Sequence, residues 1–139
     1  MNNINKEIKK LVIKAFKKNE IAVAAIIVKN NQIISKAYNM RMAKKDVTAH
    51  AEILAIKKAE KKIGDWRLNG CEMYVTLKPC KMCEAAINQS RIKKVLYLLE
   101  KPIEKKEYSK TTYEQTNIST QQTEYSKILS GFFRKKRDK

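Results

Sequence analysis

At 139 residues the chain can bury one proper core without disulfide or metal staples, and a hydrophobic content of 43% excludes wholesale disorder. Its longest apolar run, IAVAAIIV at 21–28, is far too short to cross a bilayer. Lys and Arg number 31 against 14 Asp and Glu; the net charge of +17 attracts polyanions, although codon bias towards Lys, Asn and Ile would produce the same excess.

INKEIKKLVIKAFKKN (4–19) carries apolar residues three and four apart, which predicts an amphipathic helix. IAVAAIIV, the turn KNNQ and IISKAY (33–38) then read as a hairpin of two strands. RMAKKDV (41–47) is polar and loop-like and ends at Thr48, an N-cap residue type. AHAEILAIKKAEKKI (49–63) is helical and stops at Gly64. EMYVTL (72–77) is a strand, KPC opens a helix that runs to about Ser90, and RIKKVLYLL (91–99) contains the next strand. This order predicts an α/β fold, a mixed sheet with helices on both faces. A single domain over 1–139 is expected, with 100–125 a variable or loop segment and 126–139 a terminal helix and basic tail. MNNINKEIKK has no apolar signal-peptide core, so the expected compartment is the cytoplasm, with no membrane contact. An odd count of three cysteines there favours metal binding or catalysis over disulfides.

The chain's one histidine, His50, stands in TAHAE, and thirty residues on comes Pro79-Cys80-Lys81-Met82-Cys83. Cysteines three apart at a helix start lie on one face, and Pro79 suits a first helical position. A helix N-terminus also favours the thiolate form that binds metal. His50, Cys80 and Cys83 thus make three ligands for one Zn²⁺ per chain, leaving the fourth tetrahedral position for water. Glu52, in the first turn of the other helix, can move that water's proton without being a ligand. Alternatively Cys71 closes a purely structural Cys₃His site. Distance opposes this, because the strand between Cys71 and Cys80 spans roughly 20 Å.

H-x-E followed by P-C-x-x-C is the signature of the zinc nucleobase deaminases, whose common fold is a three-layer α-β-α, cytidine-deaminase-like arrangement around a mixed central sheet. AYNMR (37–41), TAHAE (48–52), DWRL (65–68), MYVTLKPCKMC (73–83), SRIKKVLY (90–97) and FFRKKR (132–137) together resemble the tRNA adenosine deaminases. The resemblance implies hydrolytic conversion of the wobble adenosine of a tRNA anticodon to inosine. It makes His50, Cys80 and Cys83 the zinc ligands, Glu52 the catalytic proton shuttle, Asn39 a contact to the adenine and the backbone of Ala51 a pocket wall. It further implies a homodimer with the anticodon stem-loop lying across both subunits. Asn39 could instead only stabilise a turn, and Trp66 reads as a core or dimer-packing residue. The chain departs from the family pattern at Lys78, where Glu is usual, and at Ala22 and Ala25, where Pro and Gly are. It also lacks the Gly-containing segment expected after Leu99.

In the last segment, EYSKILSG is expected to turn Ile128, Leu129 and Phe132 towards the protein body. Phe133, Arg134, Lys135, Lys136 and Arg137 would then lie along the RNA, unless they form only a solvated tail. Two other functions fit the same motifs: a deaminase of a free base, nucleoside or nucleotide of cytosine or guanine type, and a non-catalytic zinc-dependent RNA-binding subunit.

Overall fold

The computed structural model describes residues 2–100, 111–116 and 119–137. Residues 101–110 and 117–118 of the variable segment expected at 100–125 therefore lie outside the described residues. The chain divides into two compact units, Met1–Glu104 and Lys105–Lys139.

The first unit is built on a four-stranded mixed sheet. Helix α1 (Asn2–Lys17) precedes strands β1 (Ala24–Lys29) and β2 (Gln32–Tyr38). The two strands pair antiparallel through Asn30 and Asn31, both with positive φ (50° and 62°), the backbone demanded by a two-residue hairpin turn. A one-turn helix α2 (Arg41–Lys44) and helix α3 (Ala51–Ile63) follow. Strand β3 (Cys71–Leu77), helix α4 (Lys81–Gln89) and strand β4 (Lys94–Leu99) complete the unit. The strand order is β2-β1-β3-β4, with β3 antiparallel to β1 and parallel to β4.

Alternation along the inner strands sorts the core into two layers. Ala25, Ile27, Met73 and Val75 face α3 and α4, whereas Ile26, Val28 and Tyr74 face α1 through Ile4 and Ile8. The result is the expected α-β-α arrangement around a mixed sheet. Ala51, Ala55 and Ala59, four apart and fully buried, let α3 lie close on the sheet. The Ser35 hydroxyl donates to the Ala55 carbonyl at 2.9 Å and ties β2 to that helix. Ile26, Ile27, Leu68, Met73 and Val75 are among the fully buried side chains, each stabilising the fold by about 1.5–3 kcal/mol.

The second unit contains helix α5 (Ser119–Arg137). Ile128, Leu129, Phe132 and Phe133 are exposed along it. The rings of Phe132 and Phe133 meet edge to face at 5.7 Å. No helix among the described residues is long and apolar enough to cross a membrane.

Candidate metal centre and active site

Two helix starts meet at one point of the first unit. His50 is the N-cap residue of α3 and Cys80 that of α4, both with extended backbone. Each gives its carbonyl to the first helical bond, from Leu54 and Glu84 respectively, while neither side chain caps its own helix. Two expectations are corrected here. Thr48 does not cap α3, because the Asp46 carboxylate takes both its amide (2.8 Å) and its hydroxyl (2.7 Å). Pro79 stands just before the cap of α4 rather than at its first helical position.

Released from capping, the side chains converge. His50 Nδ1 lies 3.4 Å from Cys83 Sγ and 3.7 Å from Cys80 Sγ, and one donor atom from each residue lies within 4.8 Å of the others. A tetrahedral ion at about 2.3 Å from sulfur and about 2.0–2.1 Å from nitrogen sets its N···S edges near ~3.5 Å, so the observed triangle fits one. Cys83 is fully buried, whereas His50 and Cys80 are partly exposed, which leaves the cluster approachable from one side. Burial pushes the Cys83 thiol well up, and the neighbouring Glu52 carboxylate and Cys80 push it further. Glu52 itself is 4% exposed, in the first turn of α3, beside the Cys83 thiol. The arrangement can hold a metal ion and set a buried carboxylate beside it.

Cys71 lies elsewhere. It is fully buried at the start of β3 among Leu68, Met73 and Ile92, outside the cluster. Asn39, at the end of β2, is 5% exposed; its amide N–H donates to the Val23 carbonyl and its Oδ1 accepts the Arg41 N–H at 3.0 Å. The turn-stabilising contact weighed from sequence is therefore present. Ala51 is the first residue of α3 and fully buried. Trp66 is not a core residue of this unit: it is 48% exposed, with the guanidinium groups of Arg67 and Arg91 at 4.6 and 5.3 Å from its ring. Phe133, Arg134 and Lys135 are exposed on α5, and the side chains of Lys136 and Arg137 lie outside those described.

Two features had no readable signal. RMAKKDV holds a helical turn, α2, rather than a plain loop, because Glu20 supplies acceptors for its amides from twenty-odd residues away. Lys78, the departure before Pro79, pairs with Glu100 at 3.7 Å and sits over the Tyr97 ring at 5.8 Å. Both Lys78 and Tyr97 line a cleft of about 250 Å³ between α4 and β4.

A sheet of this order, with helix starts that gather one imidazole and two thiols, is the architecture of a deaminase, and residues 1–137 match the family model described as MafB19-like deaminase. Within it, the chain belongs to the tRNA-specific adenosine deaminase family. It is 37% identical over 126 residues to the tRNA-specific adenosine deaminase of Buchnera aphidicola subsp. Schizaphis graminum, covering 85% of this chain and 83% of that protein. It is 55% identical over 84 residues to the protein of the same name from Aquifex aeolicus, covering 60% of this chain and 56% of that one. Against the Bacillus subtilis relative (45% identical) the coverage is 52%, so the chain spans about half the length of these last two.

Among solved structures it is similar to one from studies of A-to-I editing by tRNA:A34 deaminases at the wobble position (TM-score 0.70, 35% identity, 73% of this chain and 78% of that one). It is also similar to a guanine deaminase from Bacillus subtilis (TM-score 0.75, 25% identity, 91% and 93%).

Proposed function

We propose that this protein is a zinc-dependent hydrolytic deaminase that converts the wobble adenosine of a tRNA anticodon to inosine. The observation that carries this is the triangle of His50, Cys80 and Cys83 with the buried Glu52 carboxylate against it. His50 Nδ1 and the two sulfurs would hold one Zn²⁺, and one nitrogen with two thiolates is a donor set of the catalytic type. When bound, the metal supplies a water whose pKa falls to about 7.

The rest is the work of the chain's own residues. Glu52 accepts the water's proton and delivers it to the purine ring, and a second transfer lets the amino group leave as ammonia. Water adds at C6 and the C6–N bond breaks, so adenosine and water give inosine and ammonia. Burial keeps Glu52 close to both proton positions. Asn39 hydrogen-bonds the base, and the Ala51 backbone walls the pocket. An anticodon loop presents unstacked bases, so a small pocket takes one at little unstacking cost. The +17 charge holds the stem phosphates, with Phe133 and Arg134 nearest the RNA and Lys135, Lys136 and Arg137 following along the phosphates. The enzyme acts in the cytoplasm as a homodimer.

A second reading, deamination of free guanine, is favoured by the guanine deaminase likeness, which extends over 91% of this chain. Incubation with an anticodon stem-loop, free adenosine, cytidine and guanine separates the two. Inosine at the wobble position and none of the free products supports the first. Xanthine from guanine with an untouched stem-loop would transfer the site to the second. RNA binding without ammonia from any substrate would make the chain a non-catalytic subunit.

A further inference from the structure

Glu20 lies between α1 and β1, in a segment rich in lysine, and is 7% exposed. Its carboxylate accepts the Met42 amide N–H at 3.0 Å on one oxygen and the Ala43 amide N–H at 2.7 Å on the other. These are the second and third residues of α2, whose amides have no acceptor within so short a helix. Met40, the N-cap residue, offers no side-chain cap. A carboxylate from another segment therefore does what a capping residue does, with charge-assisted bonds.

The chain around this anchor is closed by hydrogen bonds. The Met40 amide donates to the Ala49 carbonyl at 2.9 Å, the Asp46 amide to Arg41 at 3.1 Å, and the Arg41 amide to Asn39 Oδ1 at 3.0 Å. Asn39 in turn donates its amide to Val23, three residues beyond Glu20, at 3.0 Å. The segment 40–49 thus joins Asn39 to His50, and one short stretch, Glu20 to Val23, fastens both its near end and its middle.

We infer that Glu20 is a positioning residue for base recognition: by holding the amides of Met42 and Ala43 it fixes Asn39 before substrate arrives. This rests on the role of Asn39 under the proposed function and not on the zinc chemistry. Glu20 belongs to neither buried apolar cluster, and Cys80 and Cys83 stand on a different element. Its loss should leave the sheet and the metal triangle standing while the 40–49 segment samples other arrangements. A protein competent for only part of the time binds more weakly by that fraction, yet turns over normally once bound.

The test uses the full chain with Glu20→Gln and Glu20→Ala. Gln keeps one acceptor but turns its NH₂ towards the second amide, so two donors face each other. Metal content should stay at the wild-type level, while KM for the stem-loop rises about 10-fold or more and kcat stays within about 3-fold. Hydrogen exchange at the Met42, Ala43 and Asn39 amides should quicken by about 10-fold or more in the same variants. Faster exchange with unchanged KM, a fall in kcat alone, or loss of the metal would each overturn the inference. If Glu20→Ala does not fold, Glu20→Gln carries the test. Met42 and Ala43 amides that already exchange like open-loop amides in the wild type also overturn it. A wild-type chain that turns over no stem-loop defeats the functional reading alone, and Glu20 is then judged by the exchange of the Asn39 amide.

Discussion

Replacing the three cysteines one at a time separates the metal from the packing. Cys71 is fully buried among Leu68, Met73 and Ile92, so Cys71→Ala leaves a hole one heavy atom in size. The lost transfer energy and the residual cavity together cost about 1–2 kcal/mol. For a unit of this size, at about 4–8 °C for each kcal/mol, that lowers Tm by about 4–16 °C. Zinc should remain at one per chain, because Cys71 opens β3 whereas Cys80 follows its other end, and the strand between them spans roughly 20 Å. Cys80 is partly exposed, so Cys80→Ala removes little packing but one of three ligands.

A metal at a hundred times its Kd stabilises the native state by about 2.7 kcal/mol, and the Cys80→Ala variant forfeits that. Cys83→Ala loses the metal and a fully buried sulfur together, and should be the least stable of the three. The assay is zinc per chain by elemental analysis after dialysis, with thermal melts run with and without a chelator. Chelation should lower Tm equally in wild type and Cys71→Ala and leave Cys80→Ala unmoved. If Cys71→Ala emerges without zinc, the closed Cys₃His site is right and the open catalytic centre is wrong.

Glu52→Gln keeps the size of the side chain but cannot carry a proton. Zinc content and stem-loop affinity should persist while deamination falls by about 10²-fold or more, and near wild-type turnover would remove Glu52 from the mechanism. Removing residues 134–139 deletes five cations and one carboxylate. Zinc content should be unchanged, stem-loop binding weaker, and the slope of log K against log salt flatter by a few units, about 0.9 for each phosphate that is no longer neutralised. An unaltered slope in a titration from low to high salt would show that the RNA is held elsewhere.

Local rules made much of this molecule readable from its residues. The 3–4 spacing of Ile4, Ile8, Leu11 and Val12 gave α1, the Asn30-Asn31 pair gave the hairpin, and Gly64, with φ of 83°, closed α3 where it was expected to. The pairing of Cys80 with Cys83 was legible for a similar reason, since i,i+3 spacing at a helix start is local geometry, whereas His50, thirty residues away, was joined to them by the H-x-E and P-C-x-x-C motifs. The cap of α3 turned on a contact only two residues long, Asp46 to Thr48, and what the tertiary fold decided is that the two helix starts meet. Thr48 was drawn off by Asp46 and Pro79 slipped one place back, so that His50 and Cys80 became cap residues whose side chains face each other. Trp66 lies half exposed against Arg67 and Arg91, because the turn after α3 carries it to the surface. No pattern in KKNEIAV marks Glu20 as the anchor of α2. Its partners are backbone amides more than twenty residues away, and a backbone amide looks the same in every residue but proline until the chain has folded around it.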